Sequence, residues 1–416
     1  MAKEIYNLRS FLSKEYRNIG IFLSKDFRIL GIDNLQFLRS MGLKEIFAVG
    51  KRKIPRIQNF LDTKNPKTKN PKILKSLDII FPKRIIAISS LFILLFASCG
   101  NLRKQAANND NSVVMQPVGP VFCADSAYAF CQKQCEFGPR TMNSKAHDDC
   151  AQWIIQKFEG YGMTVTPQHA LLKGYDGTML RSTNIIASYQ PEQKDRILIC
   201  AHWDSRPWAD NDPDEANWKK PVMAANDGAS GVAVMLELTR LLSPDSCKLS
   251  PSLGVDFICF DAEDWGVPQW DDAPDSSESW ALGAQYWAAN PHVKGYKAKY
   301  GILLDMVGGE GAQFYQEQGS MRYARSVVDR VWRAAQTVGF GSYFPMREGV
   351  FITDDHLPVN RVAKIPCIDI IPYYPDCQQS SFGPTWHTVN DDMAHIDRNT
   401  LQAVGQTLVQ VLFSEE

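Results

Sequence analysis

From Val121 onward the sequence predicts a single α/β domain, with a central, mostly parallel, twisted sheet flanked by helices on both faces. Three observations carry this. Apolar, β-branched runs of strand length recur along the chain. Segments of helical periodicity lie between them. Such alternation calls for crossover connections, which produce parallel strands buried on both sides. A chain of 416 residues holds one large domain or two ordinary ones, and no internal repeat divides it.

In order, the predicted elements are the helix "KAHDDCAQWIIQKFEGYG", the strands "STNIIASY" and "RILICAH", and the helix "GASGVAVMLELTRLL". Strand "VDFICF", helix "SWALGAQYWAAN" and strand "YGILLDMV" follow. The helix "MRYARSVVDRVWRAAQTVG", the strand "IPCIDIIPY" and the closing helix "TLQAVGQTLVQVLF" complete the set. Each strand has an apolar, β-branched run at its centre, as expected of a sheet packed on both faces.

In open sheets of this kind, chemistry collects at the carboxyl ends of the strands. His202 and Asp204 follow "RILIC", and Asp227 precedes a helix in "AANDGASG". Asp261, Glu263 and Asp264 follow "VDFICF", Asp305 ends "YGILLD", and Trp386 and His387 lie in "GPTWHTVNDD". A lone Asp before a helix is ordinarily an N-cap. Five strand-end polar groups in one sheet are not explained that way. Histidines with several carboxylates, and no cysteines at ligand spacing, form the N/O donor set of a zinc site.

The net charge of -1 conceals a division. Residues 1–98 carry 19 basic against 7 acidic residues, a balance of +12, which leaves −13 for the remainder. A basic first part suggests nucleic acid, but "FPKRIIAISSLFILLFASCGN" explains it better. Lys83-Arg84, an apolar run from Ile85 to Phe96, and small residues before Cys99 have the order of a secretory signal. The run is shorter than the roughly 20 residues that span a bilayer. Cys99 resembles the lipidated cysteine of a bacterial lipoprotein, with Phe96 where that pattern prefers leucine. Residues 1–82 read as a basic extension outside the mature protein, 83–99 as the signal, and 100–120 as a flexible tether. The expected address is exported, membrane-anchored through Cys99 or periplasmic, with no nucleic-acid partner.

Setting Cys99 aside leaves nine of ten cysteines, an odd number, so at least one thiol is unpaired within the monomer. Cys200, Cys259 and Cys367 lie in strand runs and read as small core residues. Cys123, Cys131, Cys135 and Cys150 are the candidates for disulfides.

The order His202-x-Asp204, Asp227, Glu263-Asp264, Asp305, His387 resembles that of zinc-dependent aminopeptidases with a phosphorylase/hydrolase-like fold. Within that superfamily it is most similar to the animal-type glutaminyl-peptide cyclotransferases, from about Phe122 to the C-terminus. The resemblance implies a zinc-dependent cyclase domain over 121–416, with one zinc held by Asp227, Asp264 and His387. It implies Glu263 as the catalytic carboxylate, and Asp305 hydrogen-bonded by Asp354 and so unsuited to a second metal. It also implies Trp270 and Trp386 as walls of the substrate pocket. The animal enzymes have Glu-Glu where this chain has Glu263-Asp264. The activity implied is cyclisation of N-terminal glutamine on peptides and proteins to pyroglutamate, with loss of ammonia.

A two-zinc aminopeptidase of the same superfamily is the alternative, because His202, Asp227 and Asp305 supply its second set of ligands. A non-catalytic binding ectodomain would lack a ligand or Glu263, and none is missing. The loops "RPWADNDPDEANWKKP" and "WDDAPDSSES" are positioned to shape access to the site.

Overall fold

The computed structural model describes residues 116–243, 249–273 and 278–415. Helices α1 (Ala124–Cys135) and α2 (Lys145–Gly160) precede strands β1 (Thr164–Lys173), β2 (Met179–Tyr189) and β3 (Asp195–His202). Then come α3 (Ala229–Leu241), β4 (Leu253–Phe260), α4 (Leu282–Ala289) and β5 (Tyr300–Leu304). Finally α5 (Gln318–Thr337), α6 (His356–Arg361), β6 (Cys367–Ile370) and α7 (Arg398–Phe413) complete the domain.

The sheet order is β1-β2-β4-β3-β5-β6. Strands β4, β3, β5 and β6 run parallel, and the β1–β2 hairpin adds two antiparallel strands along one edge. The mostly parallel sheet is as expected, and every residue of β4, β5 and β6 is buried. Strand β1 was not expected. It is an edge strand, half exposed, and contains Pro167, which only an edge tolerates. Helices α1 and α6 also lack a clear signal in the sequence.

One polar residue inside the buried β4 needs an explanation. Asp256 is fully buried, and its carboxylate accepts from Arg196 Nε and Nη2 at 2.6 and 2.7 Å and from the Tyr296 hydroxyl at 2.6 Å. Bidentate pairing of this kind offsets the cost of burying the charge. Helix α3 lies very close to the sheet: a Cβ on Gly231 would come 2.4 Å from the Leu304 carbonyl oxygen and 2.7 Å from Ala201 Cβ. That approach seats the N-terminus of α3 beside the ends of β3 and β5.

The reading of 100–120 as a free tether does not hold at its end. Val118 N–H donates to Gln410 Oε1 at 2.8 Å, and Gln410 and Gln406 side chains donate to the Gln116 and Pro120 carbonyls, both at 3.2 Å. Residues 116–120 therefore dock along α7. The basic extension, the signal and Cys99 lie outside the described residues. No helix among the described residues is long and apolar enough to cross a membrane. Cys123, Cys131, Cys135 and Cys150 are free thiols, so none of the expected disulfide candidates is paired.

Candidate functional site

The parallel strands end on one edge, and the candidate residues are delivered there. His202 is the last residue of β3, Glu263 and Asp264 follow β4, and Asp305 follows β5. Asp227 sits two residues before α3, and Asp354 two residues before α6. Asp227, Glu263, Asp305, Asp354, Trp386 and His387 line a single cleft of about 250 Å³. Asp264 is buried against it, 3.3 Å from His387 Nε2.

The turns carrying these residues are sharply bent. Ala224, Ala262, Met306 and His387 have positive φ, between 48° and 57°, a conformation that side chains other than glycine's disfavour. Two buried carboxylates hold the bends. Asp204 accepts from the backbone N–H groups of Glu263 and Asp264 at 3.1 and 3.2 Å. Asp391 accepts from those of Asn226 and Asp227 at 2.7 and 3.0 Å. Each clasp fixes a peptide pair at which a candidate ligand begins. Asp391 was not singled out in the sequence, because an Asp in a polar loop carries no distinguishing spacing.

Two overlapping donor sets share Asp227: His202, Asp227 and Asp305, and Asp227, Asp264 and His387. Their spacings differ. His387 Nε2 lies 3.3 Å from Asp264 Oδ1 and 3.6 Å from Asp227 Oδ2. Zinc ligands about 2.0–2.2 Å from the ion at tetrahedral angles stand about 3.3–3.6 Å apart. Asp264 Oδ2, moreover, is buried without a hydrogen-bond partner. The N/O chemistry, the spacing and the orphaned oxygen all fit zinc. In the other set, His202 Nε2 is already 2.9 Å from Asp227 Oδ1, a hydrogen-bond distance, and 3.2 Å from Asp305 Oδ1.

Burial and surplus negative charge set the electrostatics. Glu263 is held well above the usual carboxylate range by burial first, then by the neighbouring Asp264, Asp354 and Asp355. Burial and Asp227 push Asp305 up to about 6, and burial and Asp305 push Asp354 up to about 7. Carboxyls so placed do not all ionise. The expected hydrogen bond between Asp305 and Asp354 is not formed: Asp305 Oδ1 and Asp354 Oδ2 are each buried without a hydrogen-bond partner among the described residues, and the two carboxyls act on one another through charge alone. Such a concentration of acids is also what a bound divalent cation would balance.

The tryptophans differ from expectation in one respect. Trp386 lines the cleft, stacked on His387 with ring centroids 3.8 Å apart. Trp270 does not line it. Its ring stacks on Trp218 at 6.1 Å and meets the edge of Trp208, with Lys219 Nζ 3.4 Å from its centre. The second wall is Trp280, parallel to His387 within 17°. Sequence position beside Asp264 favoured Trp270, but the turn at Gln269–Trp270 carries that residue away, and Trp280 stands at the cleft instead.

Comparison with known proteins places this geometry. The chain is 50% identical to the glutaminyl cyclase of Bacteroides thetaiotaomicron, whose crystal structure was determined with N-acetylhistamine; the match covers 72% of this chain and 100% of that one, with a TM-score of 0.69. It is likewise 50% identical to a leucine aminopeptidase precursor from Bacteroides thetaiotaomicron, over 72% of this chain and 99% of that one, with a TM-score of 0.68. The glutaminyl-peptide cyclotransferase of Bothrops jararaca is 27% identical over 250 residues, 54% of this chain and 63% of the snake protein. The chain spans about half to just under two thirds of the length of the curated relatives it matches first. Residues 184–412 match peptidase family M28, a stretch containing every strand-end residue above, and the chain belongs to that family.

Proposed function

We propose that this protein is a zinc-dependent glutaminyl-peptide cyclotransferase, converting N-terminal glutamine of peptides and proteins to pyroglutamate. The single observation that carries the reading is the buried Asp227, Asp264 and His387 donor set at zinc-ligand spacing, with Glu263 and two tryptophans beside it in the same cleft. The likeness to solved glutaminyl cyclases supports it.

Asp227, Asp264 and His387 would hold zinc, which supplies Lewis-acid polarisation of the substrate's side-chain amide carbonyl. The protein's own groups do the rest. Glu263, a cleft-lining carboxyl beside the candidate ligands, takes a proton from the attacking α-amine and returns it to the leaving ammonia. Asp305 accepts a hydrogen bond from the departing amide nitrogen, with the carboxyl of Asp354 behind it. Trp280 and Trp386 fold the glutamine side chain back on its own amine, so that much of the catalysis is positioning. Apolar walls of this kind also exclude water, which favours aminolysis over hydrolysis.

The test is incubation with a peptide beginning in glutamine. Release of ammonia with the peptide bond intact, and close to one zinc per chain, is the expected result. Release of free glutamine, with two tightly bound zincs both needed for activity, would establish the aminopeptidase instead. That second reading draws on the His202–Asp227–Asp305 set and on the aminopeptidase-named relative. The substrates would be exported proteins, met by an enzyme exported and anchored through Cys99. Cys99→Ser is expected to release the protein from membranes or stall its processing, and a native chain beginning at Met1 would overturn this address.

A further inference from the structure

The loop after β3 is positioned to shape access, yet two of its charged residues are buried deep within it. Arg206 and Asp210 are each 1% exposed. Arg206 grips Asp210 with Nε to Oδ1 at 3.0 Å and Nη2 to Oδ2 at 2.7 Å. The same guanidinium reaches the other side of the candidate metal centre. Its Nη1 donates to the carbonyls of Asp264 and Gly266 at 3.2 and 3.0 Å and lies 3.5 Å from Asp264 Oδ1. It also stands over Trp280, 4.7 Å from the ring centroid. Asp210 Oδ1 in turn lies 3.2 Å from His387 Nδ1. That contact is close without being an aligned hydrogen bond, and Nδ1 has no other polar partner among the described residues.

Resting on the reading that Asp227, Asp264 and His387 hold zinc, we propose that Asp210 is a positioning residue for His387, itself locked by Arg206. An imidazole that binds metal through Nε2 must carry its proton on Nδ1, and a carboxylate facing Nδ1 fixes that tautomer, orients the ring and raises its basicity. Arg206 does two jobs at once. Its bidentate grip keeps Asp210 in one rotamer, and its bonds to the Asp264 segment set the second ligand relative to the first. Two of three ligands are thereby referred to one buried guanidinium. This gives the shorter Asp264 a fixed origin from which its carboxylate meets the ion.

The experiment measures zinc affinity by competition with a chromogenic chelator, on the purified protein and on Asp210→Ala, Asp210→Asn and Asp214→Ala. Loss of such a supporting partner typically weakens metal binding about 10–100-fold, and that is expected for Asp210→Ala. Asp210→Asn keeps an oxygen acceptor for Nδ1–H without the charge, so it should recover part of the loss. It should also shift the visible absorption of the cobalt-substituted protein. Asp214 is an exposed cap in the same loop, and its variant should bind zinc as the parent does. Should Asp210→Ala fail to fold, the asparagine variant decides alone: parental affinity with an unchanged cobalt spectrum overturns the proposal. So does equal weakening by Asp214→Ala, which would make loop integrity the cause. His387→Ala keeps the two readings apart. If it retains full zinc, the metal-site assignment has failed; if it loses zinc while both Asp210 variants bind normally, only the role of Asp210 has failed.

Discussion

Glu263→Gln is expected to bind zinc and peptide normally yet turn over about 10²–10⁴-fold more slowly, the usual cost of losing a general acid–base group. The amide matches the carboxylate in shape. The backbone N–H of Glu263 remains clasped by Asp204, and the three candidate ligands are untouched. What changes is the ability to take the α-amine's proton. The decrease should therefore appear in kcat with KM little altered, as expected for an interaction realised in the transition state. Zinc content and steady-state kinetics on one peptide check this. A variant with parental kcat would remove Glu263 from the chemistry, and one that loses its zinc would make it a ligand.

Asp264→Ala should fail in the opposite way. It deletes one of three candidate ligands, so zinc affinity should fall by more than the roughly 10–100-fold that follows loss of a supporting partner. Activity should fall with it, and added zinc should restore part of it. Stability of the metal-free protein should fall only modestly, because Arg206 loses a 3.5 Å neighbour but keeps its bidentate partner Asp210 and its bond to the Asp264 carbonyl. Elemental analysis beside a thermal melt of the metal-free variant separates the two effects. If Asp264→Ala retains zinc and Glu263→Gln loses it, the roles of these adjacent residues are reversed.

The parts of this site that were legible in the sequence are those where chemistry is tied to a strand end. His202, Glu263, Asp264 and Asp305 each follow an apolar run, and Asp227 precedes a helix, so the sheet itself brings them together. His387 and Trp386 lie in a loop ahead of the final helix; they were legible as candidates there, and their roles only through resemblance. Trp280 was not, because its approach depends on the path of a loop, and no periodicity encodes that path. The supporting carboxylates were equally hidden. Asp210 and Asp391 look like any acid in a polar turn until packing shows what each one faces. For the fold, the buried strands announced themselves by apolar, β-branched runs, in which Asp256 and Asp369 are exceptions. The edge strand β1, wet on one side and interrupted by Pro167, reads as a loop; α6, at six residues, is too short to show a period.

The four left-handed turns around the cleft have an implication for how this protein fails. A non-glycine residue in that conformation costs about 1–2 kcal/mol, so together they draw on a sizeable share of the about 5–15 kcal/mol by which a domain is stable. The sheet and its covering helices supply that energy, and the ring of turns consumes it. Damage to the core then reaches the chemistry before it reaches the architecture. Substitutions that loosen the scaffold anywhere, even far from the cleft, let the bends relax first, scattering ligands and base while the strands beneath remain paired. Activity is thus a more sensitive gauge of this fold's health than its secondary structure.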